Sequence, residues 1–183
     1  MEFDAIIGLD IHLEMKTNSH MFSSAPVAFG QTPNTQVNIY DMGFPGVMPL
    51  VNKQAVINAL RMCNALHMSI DDTLIFERKN YYYSDLPKGY QITQEFRPLG
   101  RNGYLFVNNK KYSIDRLHIE EDTCKQLHYS DFTLLDYNRV GIPLLEIVSK
   151  PEIRNGLILH TSLGIQTGMI RQGTDTVLLQ QHG

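Results

Sequence analysis

Two cysteines among 183 residues, Cys63 and Cys124, are too few for a disulfide framework or a four-sulfur zinc site, and they read as reduced thiols. No apolar run approaches the ~20 residues of a membrane span. The first ten residues carry Glu2, Asp4 and Asp10 but no basic side chain, the wrong pattern for a secretory or organellar signal, so the expected address is the cytoplasm. Excess positive charge is also missing. Sixteen Lys plus Arg against nineteen Asp plus Glu leave a net charge of -3, so nothing global attracts nucleic acid or anionic lipid, and any RNA contact must be local or come from a partner. The sequence has no Gly-x-x-x-x-Gly-Lys-Ser/Thr loop, Gly-x-Gly-x-x-Gly turn or Gly-x-Ser-x-Gly elbow, which removes the main support for P-loop, Rossmann and serine-hydrolase chemistry. What is there is an ordinary globular composition, 43% hydrophobic and 19% charged, enough for one domain with a sizeable core.

Leu9-Asp10-Ile11-His12-Leu13-Glu14-Met15 alternates strictly, as a half-buried strand does. Its apolar residues face a core, and Asp10, His12 and Glu14 stand about 6.6 to 6.8 Å apart on the other face. Residues 23–49 hold four of the eight prolines and three glycines and read as a long, turn-rich loop. Asn52 is placed to cap a helix whose Val56, Ala59, Leu60, Cys63 and Leu66 follow helical spacing, which buries Cys63 as an inert thiol. The stretch from 71 to 97 predicts a strand ending in a turn around Tyr81-Tyr82-Tyr83. Residues 103–108 and 112–121 predict a hairpin about Asn108-Asn109, and a further strand starts after Pro143. The class is therefore α+β with a largely antiparallel sheet.

Three acidic groups fall on predicted strands: Asp10 with His12, Glu120-Glu121-Asp122, and Glu146 inside Leu144-Leu145-Glu146-Ile147-Val148. A carboxylate within an apolar strand is costly to bury alone, so Glu146 needs a cation, a base or a metal beside it. If the strands share a sheet, Asp10, His12, Glu121 and Glu146 converge on a hard divalent cation. The structural alternative is that residues 120–122 end a strand in solvent and Glu146 pairs with Arg139 or Arg116. Alternation puts Glu120 and Glu121 on opposite faces unless a bulge intervenes. The remaining histidines show no zinc-ligand spacing, and none is assigned to a metal. Arg78, Lys79 and Lys88 flank the tyrosine cluster, which suits phosphate or nucleotide recognition but equally a snorkelling surface lysine.

Ile7-Gly8-Leu9-Asp10-Ile11-His12, Arg78-Lys79-Asn80-Tyr81-Tyr82-Tyr83, Leu86-Pro87-Lys88-Gly89-Tyr90-Gln91-Ile92, His118-Ile119-Glu120-Glu121-Asp122, and the stretch from Asp136-Tyr137-Asn138-Arg139 to Pro143-Leu144-Leu145-Glu146-Ile147-Val148-Ser149 resemble one family, in order and with near-constant spacing. It is the family of B subunits of the tRNA-dependent amidotransferases, which convert Glu-tRNA(Gln) to Gln-tRNA(Gln) and Asp-tRNA(Asn) to Asn-tRNA(Asn). The resemblance implies a cradle domain related to the glutamine synthetase and guanidino kinase fold. It implies ATP and Mg²⁺ used to phosphorylate the side-chain carboxylate of the misacylated amino acid. Ammonia released by a partner amidase then displaces the phosphate, and a small third partner makes the complex a heterotrimer. Carried onto matching positions, His12, Glu121, Glu146 and Asp10 become metal ligands. Glu120 serves a second metal or supports the first, and Lys79 and Lys88 lie along the ammonia path or near the phosphates.

Asp10 stands where most relatives have glutamate, and Phe22-Ser23-Ser24-Ala25 with Asn38-Ile39-Tyr40-Asp41 stands where many carry a four-cysteine zinc knob, so no zinc is expected. The resemblance covers residues 1–154, the N-terminal part of the catalytic domain. Residues 155–183, with five glycines and only Arg171 and Asp175 charged, read as a divergent tail left by truncation or a frameshift. Two competing readings are a non-catalytic remnant that binds only its protein partner and a stand-alone metal-dependent hydrolase. The first leaves the paired carboxylates and His12 without a purpose, and the second leaves the Arg-Lys-Asn-Tyr and Leu-Pro-Lys-Gly-Tyr segments unexplained.

Overall fold

The alternation around His12 forms β1 (Asp10–Met15), with Ile11, Leu13 and Met15 buried as the spacing predicts. The computed structural model describes residue 4, residues 6–154 and residues 177–178. Among the described residues one long helix, α1 (Lys53–Ala65), follows the loop. Asn52 caps it, its side-chain oxygen accepting from the backbone of Gln54 and Ala55 while its amide donates to the carbonyls of Ser19 and His20. After α1 come β2 (Ser69–Ile70), β3 (Glu77–Asn80) and β4 (Tyr90–Thr93), then β5 (Gly100–Val107) and β6 (Lys110–Glu121). β7 (Lys125–His128), β8 (Thr133–Asp136), β9 (Pro143–Ser149) and β10 (Val177–Leu178) complete the order.

Six strands make an antiparallel sheet in the order β10-β1-β9-β6-β5-β2, while β3-β4 and β7-β8 are separate hairpins. The class is α+β. The β5-β6 turn is the Asn108-Asn109 pair, both at positive φ, as a tight hairpin requires. The β7-β8 hairpin has no counterpart in the sequence reading. Its exposed Leu127 and Leu134 blur the polar-apolar alternation that marks a half-buried strand. The tail expectation lies outside the described residues, save that Val177–Leu178 pairs with β1 opposite Met15 and Glu14.

One face of the sheet carries the core. Leu13, Leu117, Ile119, Leu145 and Ile147 pack with Ala55, Ala59, Met62 and Cys63 of the helix. Close approach of the chain after α1 depends on Gly103, where a Cβ would come within 2.7 Å of the Leu66 carbonyl oxygen. Burial pushes the Cys63 thiol up to about 12 and the Cys124 thiol up to about 11, so both are inert at neutral pH. The loop before α1 is held by Asp41, whose Oδ2 accepts from Ser23 Oγ at 2.9 Å and from the Asn38 backbone at 3.0 Å and lies 3.2 Å from His20 Nδ1. Among the described residues, no helix is long and apolar enough to cross a membrane.

Candidate functional site

Register, not proximity in sequence, assembles the chemistry. His12 of β1, Glu146 of β9 and His118 of β6 are direct cross-strand partners and form one row across three adjacent strands. Asp10 and Glu120 stand two residues along from His12 and His118, so the period of two puts all five on the sheet face opposite the core. His12 Nε2 lies 3.3 Å from Glu120 Oε1 and 3.4 Å from Glu146 Oε2, and His118 Nε2 lies 3.0 Å from that same Glu146 oxygen and 3.7 Å from Glu120 Oε2. Two triads, Asp10-His12-Glu146 and His118-Glu120-Glu146, each place their ligand atoms within 4.8 Å of one another. Imidazoles and carboxylates at this spacing suit a divalent cation.

The electrostatics follow from burial and pairing. Hydrogen bonds to Glu120 and then Glu146 raise His12 from 6.5 to about 10. Burial pulls His118 down, but the two carboxylates prevail and raise it to about 9. Burial works against ionisation of Glu120 and Glu146, yet the two imidazoles hold both carboxyls below their ordinary value of 4.5. Asp10 is raised, by burial first and then by Glu146.

A cavity of about 400 Å³ opens over this face, lined by His12, Glu120 and Glu146 together with Lys79, Tyr81 and Asp85. The structure thus brings Asp10, His12, Glu120, Glu146 and Lys79 together. It does not bring Glu121 or Lys88 with them. The pairing of β6 with β9 runs unbroken from Arg116 to Glu121, the irregularity falling earlier, between Ile114 and Arg116. Glu120 therefore occupies the place the sequence reading gave Glu121. Glu121 turns to the core side, wholly buried, with Lys88 Nζ 2.5 and 2.6 Å from its two oxygens and the Ile92 amide donating to it at 3.0 Å. Burial pushes its carboxyl up while Lys88 pulls it down. Lys88, 1% exposed, is absent from the residues lining the cavity.

His118 is the member that sequence reasoning passed over. It has no zinc-type spacing, but His118-x-Glu120 repeats on β6 the period-two pattern of Asp10-x-His12 on β1, and that pattern was the available signal. Glu146 pairs with two histidines rather than with Arg139 or Arg116. Arg139 instead lies 3.4 Å from Asp122 and donates to the carbonyls of Thr123 and Cys124. Arg78 lies over the Tyr90 ring, 4.6 Å from its centre, and precedes Lys79 on β3, where Arg78, Lys79 and Asn80 are all exposed.

Comparison with known proteins gives a consistent answer. The family described as the GatB/GatE catalytic domain matches residues 5–164, ten residues past Arg154. The chain is 54% identical over 157 residues to the B subunit of the aspartyl/glutamyl-tRNA(Asn/Gln) amidotransferase of Mesoplasma florum, covering 84% of this chain and 33% of that protein. It is 55% identical over 158 residues to the protein of the same name from Mycoplasma capricolum, with the same coverage. With that of Geobacillus thermodenitrificans it shares 49% identity over 160 residues, 85% of this chain and 34% of that protein. The chain spans about a third of the length of the curated relatives it matches.

Proposed function

The chain belongs to the GatB/GatE catalytic domain family, and from that premise we propose that it supplies the metal-binding part of a tRNA-dependent amidotransferase, a carbon–nitrogen ligase of protein biosynthesis. The reaction is ATP-dependent phosphorylation of the side-chain carboxylate of Glu-tRNA(Gln) or Asp-tRNA(Asn), followed by amidation with ammonia derived from glutamine. A glutamine-hydrolysing amidase and a small third protein are the partners in a heterotrimer, and the misacylated tRNA binds the whole assembly. The observation that carries this reading is the His12-Glu120-Glu146-His118 cluster opening into a cavity that also holds Lys79.

Phosphoryl transfer needs positioned positive charge more than a protein nucleophile. Mg²⁺, when bound, supplies charge neutralisation at the phosphoryl oxygens, and His12, Glu120, Glu146 and Asp10 are the residues that would hold it. His118 orients Glu146 by sharing its Oε2 with His12, which fixes the carboxylate between two imidazoles. Lys79 on the cavity wall supplies a mobile cation for a phosphate or a substrate carboxylate. The net charge of -3 leaves tRNA attraction to the rest of the assembly.

The test is ADP release from ATP by the chain assembled with its amidase and small third partner, with and without misacylated tRNA. Release that needs Mg²⁺ and misacylated tRNA, and disappears in Glu146→Gln, is the expected result. ADP release that survives Glu146→Gln, or that ignores misacylated tRNA, overturns the proposal.

A further inference from the structure

We propose that the outer end of the β5-β6 hairpin is a stacking platform for single-stranded RNA, with Phe106 taking a nucleobase and Lys111 an adjoining phosphate. Leu105, Val107, Tyr112 and Ile114 are buried in the core, so alternation turns Tyr104, Phe106, Lys111 and Ser113 to the opposite face. The irregularity between Ile114 and Arg116 shifts that alternation by one, which leaves His118 and Glu120 on the same face as these residues. Register pairs Phe106 with Lys111 and Tyr104 with Ser113. The rings brace one another. Tyr104 stacks on His67, centroids 4.5 Å apart and planes at 15°, while Lys111 Nζ stands 4.0 Å from the Tyr104 centroid. Two such neighbours cannot share one side of a ring, so Tyr104 is covered on both. Phe106 meets Tyr104 edge-on, at 5.7 Å and 82°, and stays 57% exposed.

Charge selects the occupant. The whole chain stands at -3, yet residues 100–117 hold Arg101, Lys110, Lys111 and Arg116 against one carboxylate, Asp115. Arg116 takes up Asp115 at 3.2 Å, and Glu152, reaching this end from beyond β9, accepts from the Ser113 amide at 2.9 Å. Lys111 has no ion-pair partner among the described residues. The core of a protein-binding patch gathers rings where charge is depleted. Here cations and rings interleave, which suits phosphates with bases between them. The ring also selects a single strand, because bases inside a duplex offer their edges and keep their faces stacked. His118 lies five residues beyond Ser113 on β6, roughly 15 Å along the strand, so RNA lying on the platform can bring its end to the histidine–carboxylate cluster. In this respect the inference rests on the function proposed above, whose reacting group sits at the unpaired 3′ end of a tRNA. Long-range attraction of that tRNA stays with the rest of the assembly, and the platform holds the strand locally.

The experiment is fluorescence anisotropy of a dye-labelled single-stranded RNA of about ten nucleotides, titrated with the full chain at low salt. Wild type is compared with Phe106→Ala, with Lys111→Gln as a second variant should the first fail to fold, and with Phe132→Ala, which removes an equally exposed ring from the β7-β8 hairpin. Wild type should bind with a Kd of about 1 to 100 μM, and more weakly as salt rises. Phe106→Ala should weaken binding by about 5- to 100-fold, the range that loss of one base–aromatic stack gives. Lys111→Gln should weaken it and lower the salt slope by about 0.7, while Phe132→Ala should bind as wild type does. Duplex RNA of the same length should bind at least about fivefold more weakly than the single strand. No RNA binding, equal binding of duplex and single strand, or equal losses in Phe106→Ala and Phe132→Ala overturns the proposal. Capture of the amidase partner that is lost in Phe106→Ala while RNA binding is unchanged makes this end a protein interface and overturns it too. Mn²⁺ binding by wild type, read by electron paramagnetic resonance, reports on the cluster separately. Intact Mn²⁺ binding without RNA binding removes the platform and leaves the proposed function standing.

Discussion

Lys88 closes on Glu121 with its ammonium 2.5 and 2.6 Å from the two carboxylate oxygens, and both side chains are withdrawn from solvent. The adjacent Glu120 turns through the sheet to the opposite face and meets His12 and His118. Two neighbouring glutamates thus do different work, one in the core and one in the cavity, and the predictions below separate them.

Glu121→Gln leaves a buried lysine without its counter-charge. Breaking one partner of a buried pair costs about 3 to 5 kcal/mol, so urea denaturation should show a loss of that order. Lys88→Met combined with Glu121→Gln should recover much of it. Mn²⁺ affinity in Glu121→Gln, measured under folding conditions, should stay within about threefold of wild type.

Glu120→Gln and Glu146→Gln should each weaken Mn²⁺ binding far more than Glu121→Gln does. Loss of a carboxylate from such a cluster is expected to cost at least the 10- to 100-fold known for groups that only support a ligand. Calorimetric titration decides it. Equal affinity in wild type and Glu146→Gln would remove Glu146 from the site.

The cluster makes stability and metal binding respond oppositely to pH. His12 and His118 hold their protons at about 10 and 9 when folded, against an ordinary value of 6.5. Their contribution to the metal-free chain is complete below about 6.5 and is lost as pH rises through 9 and 10. Glu120 and Glu146 are shifted the other way, so their contribution is present above 4.5 and is lost in acid below it. A cation must displace the imidazole protons. Mn²⁺ affinity should therefore climb between pH 6.5 and 9, by up to about tenfold per pH unit for each proton released. Titrations at three pH values with His12→Gln as a control would check the slope.

Asn52→Ala removes the cap of α1 and also its bonds to the Ser19 and His20 carbonyls. Caps of this type are worth about 0.5 to 2 kcal/mol, and the added loop contacts place the expected loss at the upper end of that range. Equilibrium unfolding should register it without any change in Mn²⁺ affinity. A changed affinity would mean that the loop before α1 reaches the cluster.

Local patterning settles which side of an element each residue occupies. The cap and helical spacing after Asn52, the paired asparagines between β5 and β6, and the alternation through His12 all involve residues within a few positions of one another, and short-range geometry governs them. Alternation likewise separates Glu120 from Glu121. It cannot say which of those two faces belongs to the site, because that depends on the strands lying alongside. Only the order β1-β9-β6 and its register put His12, Glu146 and His118 in one row, and only that row selects Glu120 and turns Glu121 toward Lys88. His12 lies more than a hundred positions from both Glu146 and His118, and Glu146 with His118 and Glu121 with Lys88 are also far outside any short window. Strand order is settled by how whole faces bury against α1, a long-range balance with no signature in a short window of sequence.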